Sequence, residues 1–165
     1  MTNRPFRSWQ YRASDREALE LCREWMVYLG AGQTMLTLRA GRQVCDLYSS
    51  AYLAWVFNRH GNLEDEYVEH AAASAAVDGR EAIIFVRGGI LPTAYYRADD
   101  LGVALLRFDS YDGDLFGGNA RGHELCVGGM VSDRRSSQAI NAARQQTDPD
   151  SQALPGQRPR HLPRW

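Results

Sequence analysis

The run Ala82-Ile83-Ile84-Phe85-Val86 has few possible homes in a folded chain. In a strand, successive side chains point to opposite faces, so a strand that is apolar at every position presents oil on both. Such a strand sits in the middle of a sheet with both faces covered, as in proteins that pack helices on a largely parallel sheet. The chain is therefore expected to be α/β, in two or three layers.

The flanking sequence supplies the other elements. Ser14 with Glu17 three residues on reads as a capping box. The helix it opens runs to about Leu29 and stops at Gly30. Ala18, Leu21, Cys22, Trp25, Met26 and Leu29 recur at helical spacing and form its buried stripe. Glu17, Glu20 and Glu24 lie on an adjacent face, either solvated or within reach of a metal. Thr34 to Leu38 reads as a strand and Ala40-Gly41-Arg42 as a turn. Gln43 to Asn58 reads as a hairpin turning at Ser49-Ser50, with Leu53, Trp55 and Phe57 on one face and Tyr52, Ala54, Val56 and Asn58 on the other. Asp46 lies in its first strand and is expected to point the same way as Val44 and Tyr48. Asn62 is placed to cap a second helix, Leu63 to about Val77, with Glu64, Asp65 and Glu66 in a first turn that favours anions. A third helix is expected from Pro92 to Leu101, ended by Gly102, and a further strand from Val103 to Phe108. The order is α-β-β-β-α-β-α-β around a mixed central sheet flanked by helices, followed by an Asp112-Gly113 turn before Leu115-Phe116.

Three segments emerge: a basic arm over residues 1–13, an α/β domain over 14–119, and a Gly-rich segment with an Arg/Pro-rich tail over 120–165. Asp133 to about Gln146 is compatible with a short amphipathic helix. Residues 147–165 have the composition of an extended tail that is either disordered or ordered by a partner. The chain's 165 residues suit one domain. No run approaches the ~18 apolar residues of a membrane span. The start lacks the apolar core of a secretory signal. The odd set Cys22, Cys45 and Cys126, without CxxC spacing, argues against disulfides and zinc and for a reducing compartment, so a cytoplasmic location is expected.

Charge and residue usage exclude more. All 19 basic residues are arginine and none is lysine, so no reaction that needs a lysine amine is open to this chain. Residues 14–119 carry nine arginines against sixteen acids, while both ends are basic. An acidic body is a poor footprint for gripping DNA. His60, His70, His123 and His161 have no metal-ligand spacing, Gly88-Gly89 and Gly117-Gly118 lack the setting of a phosphate loop, and His123 with Cys126 is only a weak candidate for a nucleophile pair.

Several strings, in this order, resemble the Mrr-like restriction endonuclease family of the PD-(D/E)xK nuclease fold, in its actinobacterial form. They are Glu24-Trp25-Met26 with Tyr28-Leu29-Gly30, Cys45-Asp46-Leu47, Gly89 to Ala98, Gly102 to Phe108, and Asp112-Gly113 with Asn119. The likeness covers roughly Ala18 to Asn119 and implies a restriction-endonuclease-like fold. It also implies Mg²⁺-dependent cleavage of DNA by an aspartate, a second ligand and a lysine, the last two at i and i+2 on one strand. A hard cation needs oxygen ligands and polarises the phosphate, while a nearby positive group steadies the attacking hydroxide. Here Asp46 keeps the first position, Trp55 takes the ligand position and Phe57 the lysine position. Neither ring offers an oxygen or a cation. Arg59 lies two residues on, but a guanidinium does not give up its proton.

The expectation is a nuclease fold without its chemistry and without cofactor, kept as a protein-binding or self-associating module in phage–host conflict or virion assembly. Burying the two rings is expected to contribute roughly 1.5–3 kcal/mol each. The alternatives are a non-cleaving DNA binder and a weak Mg²⁺-dependent endonuclease using Asp46, Glu20 or Glu24, and Arg59. Acids at 64, 65, 66 and 69 repel a duplex, so DNA contact would fall to the basic ends. Arg134, Arg135, Arg158, Arg160, Arg164 and Trp165 are the candidate partner contacts. Removing residues 147–165 is expected to reduce partner capture in a pull-down with the full chain as reference. An unchanged set of partners would take the tail out of the account.

Overall fold

A computed structural model describes residues 14–38 and 44–132. The arm, the 40–42 turn, the 133–146 segment and the tail lie outside the described residues, as do the contact candidates Arg134, Arg135, Arg158, Arg160, Arg164 and Trp165.

The elements are α1 (Asp15–Leu29), β1 (Met35–Leu36), β2 (Leu47–Tyr48), β3 (Tyr52–Phe57), α2 (Asp65–Asp78), β4 (Glu81–Val86), α3 (Pro92–Leu101), β5 (Ala104–Phe108), β6 (Leu115–Gly117) and α4 (Ala120–Gly128). They form one six-stranded sheet in sequence order β1-β2-β3-β4-β5-β6. β3, β4 and β5 are parallel, and the other neighbouring pairs are antiparallel.

The central strand is covered as its composition requires. Ile83 and Phe85 of β4 enter one core with Ala18, Cys22, Trp25 and Met26 of α1 and Leu125 of α4. Ile84 and Val86 enter a second with Val68, Ala71 and Ala75 of α2 and Ala94 and Ala98 of α3. The domain thus has three layers, with α1 and α4 on one face of the sheet and α2 and α3 on the other. Alanine at four of the five buried, sheet-facing positions of α2 and α3 lets both helices lie close to the strands.

The caps follow local chemistry. Ser14 Oγ accepts the Glu17 N–H at 3.3 Å, and Gly30 closes α1 with a φ of 128°. The second helix starts later than its sequence indicates. Asn62 is not its cap; Glu64 occupies that position, without a side-chain cap bond. The reason is that Leu63 is held against the next loop, donating its N–H to Gly89 and accepting from Leu91. Leu29 is only partly buried. The hairpin turn is centred one residue later than expected, with Ser49 N–H donating to the Tyr52 carbonyl and Ser49 Oγ accepting the Tyr52 N–H.

The main departure lies beyond Asn119. The Gly-rich stretch opens with a helix, α4, packed on β5 and β6, so the folded unit does not end at 119. The Asn119 side chain makes this possible. It is 5% exposed. Its Oδ1 accepts from Leu105 N at 3.0 Å and from Gly122 N at 2.8 Å, and its Nδ2 donates to the Val103 carbonyl at 2.8 Å. One amide caps the helix and fastens it to the strand. Gly122 completes the contact, because a Cβ there would run into the Leu105 carbonyl. α1 is tied in the same way: Trp25 Nε1 donates to the Gly113 carbonyl at 2.8 Å, and Met130 N–H to the Leu29 carbonyl at 2.7 Å.

Asn119→Ala leaves two buried donors and one acceptor unpaired. It is expected to lower stability by about 2–4 kcal/mol, read as a lower denaturant midpoint at unchanged slope.

Candidate functional site

Asp46 is positioned by an irregularity in the hairpin. Leu47 stands opposite Ala54, yet the Asp46 N–H also donates to the Ala54 carbonyl at 2.9 Å. Two residues of one strand answer to one of the other, which is the count of a β-bulge. Regular pairing would set Asp46 opposite Trp55. Instead its Oδ2 accepts the Val56 N–H at 2.8 Å.

The cleft around the carboxylate is about 340 Å³ and is lined by Asp15, Leu19, Asp46, Val56, Phe57, Asn58, Arg59 and Tyr67. Asn58 Nδ2 donates to Asp15 Oδ1 at 3.0 Å. The i and i+2 pair flanking the aspartate from the α1 side is therefore Val56 and Asn58. Trp55 and Phe57, expected there from the sequence, have their faces in the opposite core against α2. Phe57 still reaches the cleft, packed edge-on to Tyr67 at 5.1 Å and covered by Arg59 at 5.3 Å. Trp55 does not line it. Among the described residues its indole N–H has no hydrogen-bond partner, and that costs about 1–3 kcal/mol against its burial.

The helix acids sort differently as well. Glu20 accepts from Arg16 at 3.0 Å, and neither Glu20 nor Glu24 lines the cleft. Asp15, at the start of α1, does. Sequence reasoning missed it because nothing local shows which end of the helix meets the hairpin. Arg59 lines the cleft.

The cleft offers two carboxylates, each already accepting a hydrogen bond from β3 or the residue after it, next to a valine, an aromatic ring and an amide. This donor set does not fit a hydrolytic magnesium centre, which needs oxygen ligands and a group to assist water. Among the described residues no three of His, Cys, Asp and Glu cluster around a common point. Burial pushes the Cys22, Cys45 and Cys126 thiols up, the last to about 11. Cys126 therefore remains a thiol near neutral pH and makes no nucleophile with His123.

A second cavity, about 590 Å³, opens beside the first and shares Arg59 with it. It lies where β3, β4 and β5 end, and Arg87 and Arg107 also line it. The acids of α2 are partly engaged, Asp65 accepting from Thr93 Oγ1 at 2.6 Å and Glu69 from Arg97 Nε at 2.9 Å. Among the described residues no helix is long and apolar enough to cross a membrane.

Comparison with protein-family models, curated proteins and solved structures finds no match for this chain. The fold and the cleft define a three-layer α/β domain with an aspartate pair at one end of its sheet.

Tyr67 records the character of the cleft. Its phenol is pushed up to about 12, first by burial and then by the neighbouring Asp46 charge. A folded value above the unfolded one of about 10 means the contribution to stability is whole below pH 10 and is lost as pH rises towards 12. Tyr67→Phe is expected to flatten the alkaline fall in stability over that window. Asp46→Asn is expected to move the Tyr67 absorbance titration to lower pH.

Proposed function

We propose that this chain is a nuclease-like domain that has given up hydrolysis and acts by binding. The observation that carries the reading is the composition of the Asp46 cleft. On the strand beside the aspartate, the i and i+2 positions are Val56 and Asn58, and no lysine exists anywhere in the chain to serve from another element. The bulge shifts the pair by one residue from the Trp55 and Phe57 suggested by the family resemblance. Either pair lacks the carboxylate and the amine that Mg²⁺-dependent phosphodiester cleavage calls for.

In this reading Asp46 is structural. It accepts a strand N–H that lost its ladder partner at the bulge, a task one carboxylate oxygen performs without metal. The partner we favour is a protein or a second copy of the chain. The exposed Glu64 and Glu66 at the start of α2 repel a long duplex, while Tyr96 on α3 and Tyr111 stand about two-thirds exposed, as aromatic anchors of protein interfaces do.

Supercoiled plasmid incubated with the full chain and Mg²⁺ or Mn²⁺ is expected to remain uncut. Cleavage that disappears in Asp46→Ala would overturn the proposal and restore the weak endonuclease. Sedimentation of the full chain over a range of concentrations tests self-association, and a single monomeric species at every concentration leaves a different protein as the partner.

A further inference from the structure

β3, β4 and β5 run parallel, so their carboxyl ends open on the same side of the molecule, where α/β domains commonly hold ligands. Each end delivers an arginine. Arg59 follows β3 by two residues, Arg87 follows β4 by one, and Arg107 is the penultimate residue of β5. All three line the 590 Å³ crevice with His60, Phe108, Asp109, Ser110 and Phe116. Neighbouring strands lie ~4.8 Å apart, and with the register offset of Arg59 the three arginines are rooted within roughly 12 Å of one another.

Three of the four arginines without a carboxylate partner among the described residues stand here, the fourth being Arg23. Among the described residues there are eight arginines. Arg16, Arg80, Arg97 and Arg121 form ion pairs with carboxylates. Arg59, Arg87 and Arg107 make none with any described residue, although the domain is rich in acid. The one carboxylate in the crevice is turned into its own loop: Asp109 Oδ1 accepts from Tyr111 N at 2.8 Å and from Asp112 N at 3.3 Å. Three positive groups rooted this close, two of them exposed, make a locally positive surface that an anion relieves, most strongly at low salt.

The surroundings favour phosphate. A guanidinium fork matches two phosphate oxygens at once. Arg87 N–H donates to the Phe57 carbonyl at 3.1 Å, and Gly88 passes so close to the Arg59 and Gly61 carbonyls that no Cβ fits. The two arginine-bearing loops are thereby held against each other. Phe116, 57% exposed, gives the crevice an aromatic wall of the kind on which a base stacks. A cavity of this volume is in the range of small-ligand sites. The acids at the start of α2 stand close by, because Leu63 N–H is bonded to Gly89, and they disfavour a long duplex.

We infer that the crevice formed by Arg59, Arg87 and Arg107 at the carboxyl ends of the parallel strands is a binding site for linked phosphate groups, borne by a nucleoside polyphosphate or by the end of a single nucleic-acid strand. It shares Arg59 with the Asp46 cleft but does not rest on the reading of that cleft as inactive.

The test is calorimetric titration of the full chain at low salt without added metal, using pyrophosphate, ATP and a 5′-phosphorylated oligothymidylate. Saturable binding of at least one is expected, weakened tenfold or more by Arg87→Gln and by Arg107→Gln and unchanged by Arg23→Gln, an unpaired arginine outside the crevice. Arg87→Lys, which keeps charge but not the fork, is expected to fall between. Tighter binding of ATP than of the oligonucleotide identifies a nucleotide site, and the reverse a strand-end site. No binding of any probe overturns the inference. So does binding that persists in both glutamine variants, which would place the contact elsewhere, or equal affinity for an oligoglutamate peptide, which would make the crevice an acidic-peptide site. Each variant is checked for an unchanged thermal midpoint, and the lysine variant carries the test should a glutamine variant unfold.

Discussion

Coverage of β4 on both faces is the constraint from which the remaining architecture follows. A strand of alanine, isoleucine, phenylalanine and valine is stable only between two apolar layers, so the chain must bring helices to both sides of it. The crossovers through α2 and α3 supply one layer. The helices at the beginning and end of the domain, α1 and α4, supply the other. Crossover connections make β3, β4 and β5 parallel, and parallel strands gather their carboxyl ends along one rim. The aspartate cleft and the arginine crevice share that rim, with Arg59 standing between them.

Much of this was readable from residue patterns. The capping serine of α1, the all-apolar β4, and Pro92 with Gly102 bounding α3 each carry a local physical signal, and each element appears with bounds close to those signals. Other features have no local signal. Glycine at 122 reads as a helix breaker, yet it is required because a strand carbonyl occupies the space of its Cβ. Asn119 reads as a turn residue, yet its amide serves three backbone groups on two elements. The bulge at Asp46 cannot be inferred from alternation, since a one-residue offset exchanges the faces of everything that follows. That exchange moved the inferred partner positions from Trp55 and Phe57 to Val56 and Asn58. The convergence of three arginines separated by 28 and 20 positions in sequence is visible only once the strands are aligned.

The two sites on the rim differ in how their charges are compensated. In the cleft, carboxylates are satisfied from within: Asp15 by Asn58, Asp46 by a strand N–H. Burial beside them raises the Tyr67 phenol. In the crevice, the guanidinium groups have no acid partner among the described residues, and one is braced on an aromatic ring. Polar groups satisfied internally serve the fold, and charges left without internal partners are available to something outside it. By that criterion, on our proposal, the acidic cleft has a structural role and the basic crevice a role in recognition.

The bond from Trp25 to the Gly113 carbonyl and the one from Met130 to Leu29 join the beginning of the domain to its end. The first helix thus completes its contacts only with residues made about ninety positions later, although it meets β1 and β3 sooner. During synthesis part of its apolar stripe stays uncovered until the strand and helix that follow Phe108 have emerged. Contacts of such long sequence separation are slow to form. The domain is therefore closed by its last third, the part whose glycines look least like structure.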